Sequence, residues 1–171
     1  GDGMTRYLVA YYSWTGATAK VAKLLAQDLS ADLEEIRDAR RRAGPFAFVG
    51  AVLESLGKRP ARILPAVRDP ADYDVVILGC PVWAQDIASP MRAYVREQGR
   101  KFRKVALFCT FGGAGGEATL DKLSALCGLT PLARLAVDDP ALKSERWRDM
   151  AQAFSGQLVA KAAVPAQGVG V

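Results

Sequence analysis

The residue types best suited to chemistry in this chain form one short run, Ser13-Trp14-Thr15-Gly16-Ala17-Thr18. An apolar stretch, Tyr7 to Tyr12, leads into it, and a helical pattern from Ala19 to Leu29 follows. Three hydroxyls and a glycine therefore sit on a strand-to-helix turn. Such a turn aims backbone N–H groups and the positive end of a helix dipole at one point, which suits a phosphate. Ser13, Thr15 and Thr18 can each donate to the same anion. The run holds no lysine, so it is not the G-x-x-x-x-G-K-[ST] loop that cradles a nucleoside triphosphate. It suits a phosphate monoester held by neutral donors. The plainer reading of Ser and Thr here is an ordinary helix N-cap.

Two further loops offer complementary chemistry. Pro81-Val82-Trp83-Ala84-Gln85-Asp86-Ile87-Ala88-Ser89-Pro90 places a tryptophan in a turn between prolines. An indole there can serve as a stacking wall for a flat ring, or simply pack on a neighbouring helix. Thr110-Phe111-Gly112-Gly113-Ala114-Gly115-Gly116-Glu117 carries four glycines in five residues, which let backbone approach a ligand closely. Phe111 adds an aromatic at the same rim. A planar heterocycle bearing a phosphate fits the three loops together, and flavin mononucleotide (FMN) is the natural candidate.

The elements that must position these loops are legible as alternating strands and helices. Strands are expected near 6–12, 33–37, 74–80, 104–109 and 132–137. Helices are expected near 16–29, 46–56, 89–97 (with Ser89 as N-cap and Pro90 first in the helix), 117–126 and 144–162. The run Asp74-Val75-Val76-Ile77-Leu78-Gly79-Cys80 is apolar on both faces, as in the centre of a parallel sheet covered by helices. Five β/α units predict a doubly wound parallel sheet, whose ligands sit beyond the carboxyl ends of the strands. The three loops fall there. A single domain over 4–163 is expected, with Gly1-Asp2-Gly3 an artificial leader and 164–171 a flexible tail.

Composition narrows the function classes. The chain has 171 residues, half of them apolar, and no apolar run near the length of a membrane span. Its three cysteines lie apart in apolar surroundings, which fits a reducing, cytoplasmic setting rather than a disulfide framework. With no histidine and no close cysteine pair, a metal site is disfavoured. Cys80 and Cys109 end expected neighbouring strands, where cysteine usually serves as a small hydrophobe; a thiol redox role is the alternative, with no C-x-x-C or basic activator adjacent. The net charge is +5, concentrated in 37–68 (Arg40-Arg41-Arg42, Lys58-Arg59) and in Arg100 to Lys104. These stretches form either a solvated basic surface or a docking face for an anionic partner. Aromatics do not interleave with them, so nucleic acid is not expected.

The chain resembles the flavodoxin-like FMN-binding proteins over nearly its whole length. The residues that carry the resemblance are Tyr12 to Thr18, Tyr73 to Trp83, and Phe108-Cys109-Thr110-Phe111-Gly112-Gly113, in that order and spacing. The resemblance implies an α/β three-layer doubly wound sandwich with a five-stranded parallel sheet of order 2-1-3-4-5. It implies FMN phosphate on Ser13, Thr15, Gly16, Ala17 and Thr18, with Trp14 beside the ribityl chain or ring. Pro81, Val82, Trp83 and Ala84 would line the ring, and Thr110, Phe111, Gly112, Gly113 and Gly115 would meet its pyrimidine side. It implies electron transfer, exchanging electrons with a redox partner protein or NAD(P)H. An NAD(P)H-dependent FMN oxidoreductase acting on quinones, or a flavin-free binding module of the same fold, are the alternatives. Two departures stand out: the chain is basic where many carriers are acidic, and Trp83-Ala84-Gln85 lacks the glycine that lets a peptide flip towards the reduced ring in those carriers.

Overall fold

The computed structural model describes residues 4–39 and 61–163. The expected artificial leader, the Arg40-Arg41-Arg42 and Lys58-Arg59 runs, the helix near 46–56 and the tail from 164 lie outside the described residues. The elements are β1 (Tyr7–Tyr11), α1 (Ala17–Leu29), β2 (Asp32–Glu35), β3 (Val75–Trp83), β4 (Asp86–Ile87) and α2 (Ser89–Gln98). They continue with β5 (Lys104–Phe111), α3 (Gly116–Cys127), β6 (Arg134–Asp138), α4 (Asp139–Lys143) and α5 (Arg146–Ala163). Five strands form one parallel path, β2-β1-β3-β5-β6, and β4 is a short antiparallel return paired only with β3. Without that return the order is 2-1-3-4-5, as expected.

Strand alternation sorts the apolar residues onto two faces. Tyr7, Val9, Tyr11, Ile77, Ala106 and Phe108 join α1 and α5 in one core layer. Leu8, Ala10, Leu78, Cys80, Leu107 and Cys109 join α2 and α3 in the other. This is why β1, β3 and β5 read as unbroken apolar runs. In α1 the buried residues Thr18, Val21, Ala22, Leu25, Ala26 and Leu29 recur at helical spacing and make one stripe. The helix stops at Ser30, whose left-handed backbone (φ 50°) turns its amide back to Ala26 O and Gln27 O. At the sheet centre Gly79 pairs with Phe108, and a Cβ on Gly79 would lie 1.9 Å from that ring. The glycine is therefore a packing requirement.

Three local expectations differ from the structure. Ser89 is the first residue of α2 and not its cap; Ala88 precedes the helix and supplies no side-chain cap. Pro90, within the first two helical positions, has no N–H to leave unsatisfied, which lowers the need for one. The second loop is not an open turn: β3 runs on through Trp83 and returns in β4 after only Ala84 and Gln85. The long terminal helix is preceded by a separate short helix, Asp139–Lys143, capped by Asp138, whose carboxylate accepts from Ala141 N at 2.9 Å.

Candidate binding site at the carboxyl edge of the sheet

The turn after β1 is built around Ser13 and Gly16. The Ser13 hydroxyl oxygen accepts from Gly16 N at 3.2 Å and Ala19 N at 3.1 Å. Ser13 thus caps α1 from outside the helix, and its hydroxyl hydrogen remains available to donate. Gly16 takes φ 100°, a conformation glycine adopts without penalty, and nothing lies within 4 Å of where a Cβ would be. The first intrahelical bond is Lys20 N to Gly16 O, at 3.0 Å. The amides of Ala17 and Thr18 come before it, at the helix end that favours anions. Trp14, Thr15 and Gly16 are exposed and Ala17 is partly so.

Thr18 behaves differently from its two companions. It is 1% exposed, and its Oγ1 lies 2.8 Å from Thr110 Oγ1 at the end of β5. Thr110 is itself buried. It shares strand parity with Ala106 and Phe108, which belong to the layer beneath α1 and α5. Its neighbour Phe111 belongs to the other layer, where its ring fills the space above Gly116. The third loop is thus tied to the first through a side-chain pair 92 residues apart in sequence. Gly112 and Gly113 are exposed at its crest, and Gly115 (φ +94°) closes it into α3.

The second loop is a two-residue hairpin with Ala84 at φ 50° and Gln85 at φ 61°. Both central residues positive is the pattern of a type I′ turn, which normally recruits asparagine or glycine. The hairpin is fastened from below. Asp86 accepts from Ile87 N at 2.7 Å and from Arg92 Nη2 at 2.8 Å, and Lys122 Nζ sits 3.8 Å from the same carboxylate. Lys122 also donates to Gln85 O at 3.4 Å. Trp83 meets Trp14 edge-on at 5.4 Å and Tyr12 edge-on at 5.3 Å, joining the first and second loops. Pro81 and Val82 are half-buried at the base of the hairpin and Ala84 is exposed at its tip.

All fifteen residues expected in the site therefore gather at one edge of the sheet. Tyr12, Gln85, Asp86, Arg92 and Lys122 belong with them and were not among the expected site residues. The one sequence signal for the fastening was an acid six residues ahead of an arginine across a helix start. The cysteines are placed away from this chemistry. Cys80 and Cys109 are register partners, both buried. Burial pushes the Cys80 thiol up to about 12 and the Cys109 thiol higher still, so neither is a thiolate at neutral pH. A separate cavity of about 460 Å³ lies beside β2, lined by Glu34, Ile36, Ile63 and Tyr94 among others. Among the described residues no cluster of metal-ligating side chains occurs, and no helix is long and apolar enough to cross a membrane.

No protein-family model matches the sequence. Solved structures do match it in shape. A flavoprotein from Lactobacillus acidophilus NCFM, solved in complex with FMN, is 23% identical with a TM-score of 0.69, over 81% of this chain and 97% of that one. A Bacteroides eggerthii protein, named provisionally as a flavoprotein, is 22% identical with a TM-score of 0.72, over 92% and 98%. The two-electron reduced flavodoxin of Megasphaera elsdenii is 19% identical with a TM-score of 0.55, over 88% and 98%. The strand path, the helices on both faces and these likenesses together establish that the chain has the flavodoxin-like α/β fold.

Proposed function

We propose that the chain binds FMN across the three loops and uses it to transfer electrons. The observation that carries this reading is the convergence of the loops: Trp14 against Trp83 at 5.4 Å and Thr18 against Thr110 at 2.8 Å bring a phosphate turn, an indole wall and a glycine crest to one edge. The residues fit the cofactor. The open space over Gly16 and the leading amides of α1 suit a dianionic phosphate, which needs donors and tolerates no carboxylate nearby. Residues 12–18, 81–85 and 110–115 contain no acidic side chain. The FMN held by the L. acidophilus protein, of the same fold, supports the choice of ligand.

FMN supplies the redox chemistry when bound; the protein supplies binding, orientation and electrostatics. In this reading the amides of Ala17 and Thr18 and the hydroxyls of Ser13 and Thr15 hold the phosphate. Trp14 and Trp83 present indole surface to the ring, and the exposed Gly112 and Gly113 offer backbone to its polar edge. No side chain need serve as acid or base. The fixed hairpin keeps Trp83 in register, because Asp86, Arg92 and Lys122 hold its lower strand against α2 and α3.

Anaerobic titration tests this. Purified apo-protein is titrated with FMN while absorbance and fluorescence are followed, and NADPH is then added. Saturable quenching of flavin fluorescence supports the binding site, and a protein that leaves FMN fully fluorescent refutes it. Bleaching on NADPH would make the chain a nicotinamide-driven oxidoreductase. Bound FMN that stays yellow until a reductase is added is the expected behaviour of an electron carrier.

A further inference from the structure

Either hydroxyl of the Thr18–Thr110 pair could be the donor, and the surroundings favour one direction. A hydroxyl donates one hydrogen, so a bond between two hydroxyls uses one hydrogen and leaves the other to be placed. Both threonines are buried, at 1% and 4% exposure, and an unplaced hydroxyl hydrogen is costly there. Beside Thr110 in the sheet stand Pro81 and Val137, whose side chains accept nothing. Thr18 stands in the first turn of α1, next to the amides that precede the helical ladder. The arrangement that leaves the spare hydrogen where it is useful has Thr110 donating to Thr18, and Thr18 donating outward into the turn.

We infer that Thr110 is a positioning residue for the phosphate end of the ligand, acting through Thr18, and is not a contact of the ring. This rests on the FMN reading above. Strand parity supports it: Thr110 faces the layer under α1, whereas its neighbour Phe111 faces the opposite layer. The bond from Thr110 occupies the acceptor side of the Thr18 oxygen and so orients its hydrogen towards an anion. Chained hydroxyls also polarise one another, which strengthens the terminal donor. Without Thr110, Thr18 is free to turn its hydroxyl to the carbonyls of the preceding turn, as threonine in a helix commonly does.

Two ligands separate this role from a ring contact. FMN and riboflavin share the ring and differ in the phosphate. Thr110→Val is expected to weaken FMN binding about tenfold and leave riboflavin binding within about twofold, since one hydrogen bond to the phosphate side is lost. Thr110→Ser, which keeps the hydroxyl, is expected to restore FMN affinity. In a Thr18→Val background, Thr110→Val is expected to add little, because its effect passes through Thr18. Equal losses for the two flavins, or full additivity with Thr18→Val, overturn the inference while leaving the binding site intact. If Thr110→Val does not fold, Thr110→Ala and Thr110→Ser are compared on the same two ligands, with the same criteria. Wild-type protein that binds neither flavin overturns the FMN reading itself, and the inference with it.

Discussion

Replacing Gln85 by glycine should make the protein more stable. Gln85 holds φ 61° at the second central position of the β3–β4 hairpin, and a residue with a Cβ pays about 1–2 kcal/mol for the left-handed region. Glycine removes that penalty but adds about 0.4–1 kcal/mol of unfolded-chain entropy. The net gain lies between about 0 and 1.6 kcal/mol, about 0.8 at the midpoint, and for a domain of this size each kcal/mol raises Tm by about 2–4 °C. The bond that fastens the turn survives the change, because Lys122 donates to the backbone oxygen of residue 85. The Gln85 side chain is exposed, so little packing is lost. Thermal unfolding followed by circular dichroism, with a urea midpoint as a second measure, reads the effect. A lower Tm and midpoint would refute the reasoning and show that the turn is not held in the left-handed region. A higher Tm, as expected, would mean that the natural chain keeps an unfavourable residue for a reason other than stability, as strained positions near binding sites often do.

Four further outcomes are expected. Thr15→Ala should weaken FMN binding by about 1 kcal/mol while leaving Tm unchanged, since Thr15 is exposed and donates only to the ligand in this reading; isothermal titration and thermal melts together check it. If FMN binds as proposed, Trp83→Ala should raise the fluorescence of the bound flavin by removing an indole from its ring, and should also cost about 0.5–1.5 kcal/mol for each of its edge contacts with Tyr12 and Trp14. Gly79→Ala should destabilise by more than about 3 kcal/mol, because its Cβ would sit 1.9 Å from the Phe108 ring, with partial relief from Phe108→Leu in the same chain; urea unfolding of the single and double variants decides it. Stability should fall as pH rises through about 9 towards 12: Cys80, Cys109 and Tyr94 are all held protonated by burial, so their folded values lie above their unfolded ones and the unfolded chain loses protons first. A melting temperature that is flat from pH 8 to 11 would contradict that sign.

The strands and the three loops were legible because their signals are local. Unbroken apolar runs mark β1, β3 and β5, and a hydroxyl-glycine run between strand and helix marks the turn after β1. What escaped was set by contacts distant in sequence or by rules the chain breaks. The hairpin could not be read because Ala84-Gln85 carries neither asparagine nor glycine, so a tight turn had no local sign. Its support comes from α3, where Lys122 reaches back 37 residues to Gln85. Ser89 fits the profile of a cap, yet the chain enters α2 one residue earlier because β4 ends immediately before it. Thr18 read as one of three equal donors; only the fold reveals that it is buried against Thr110. The short helix α4 did have a signal, Asp138-Asp139-Pro140, an acid cap followed by proline at a first-turn position.

The pairing of residues 18 and 110 also bears on how the molecule comes into being. Every neighbouring pair in the five-strand path is parallel, so each needs a crossover and none can form as a simple hairpin. On a growing chain the turn after β1 emerges early, whereas its floor, the end of β5, is made 92 residues later. Synthesis at about 5–20 residues per second puts seconds between the two events. A nascent chain halted before β5 would carry the turn without the threonine beneath it. If the chain binds FMN as proposed, acquisition of that ligand is a late event in the life of each new molecule, and a signal from it would report that the central sheet has closed.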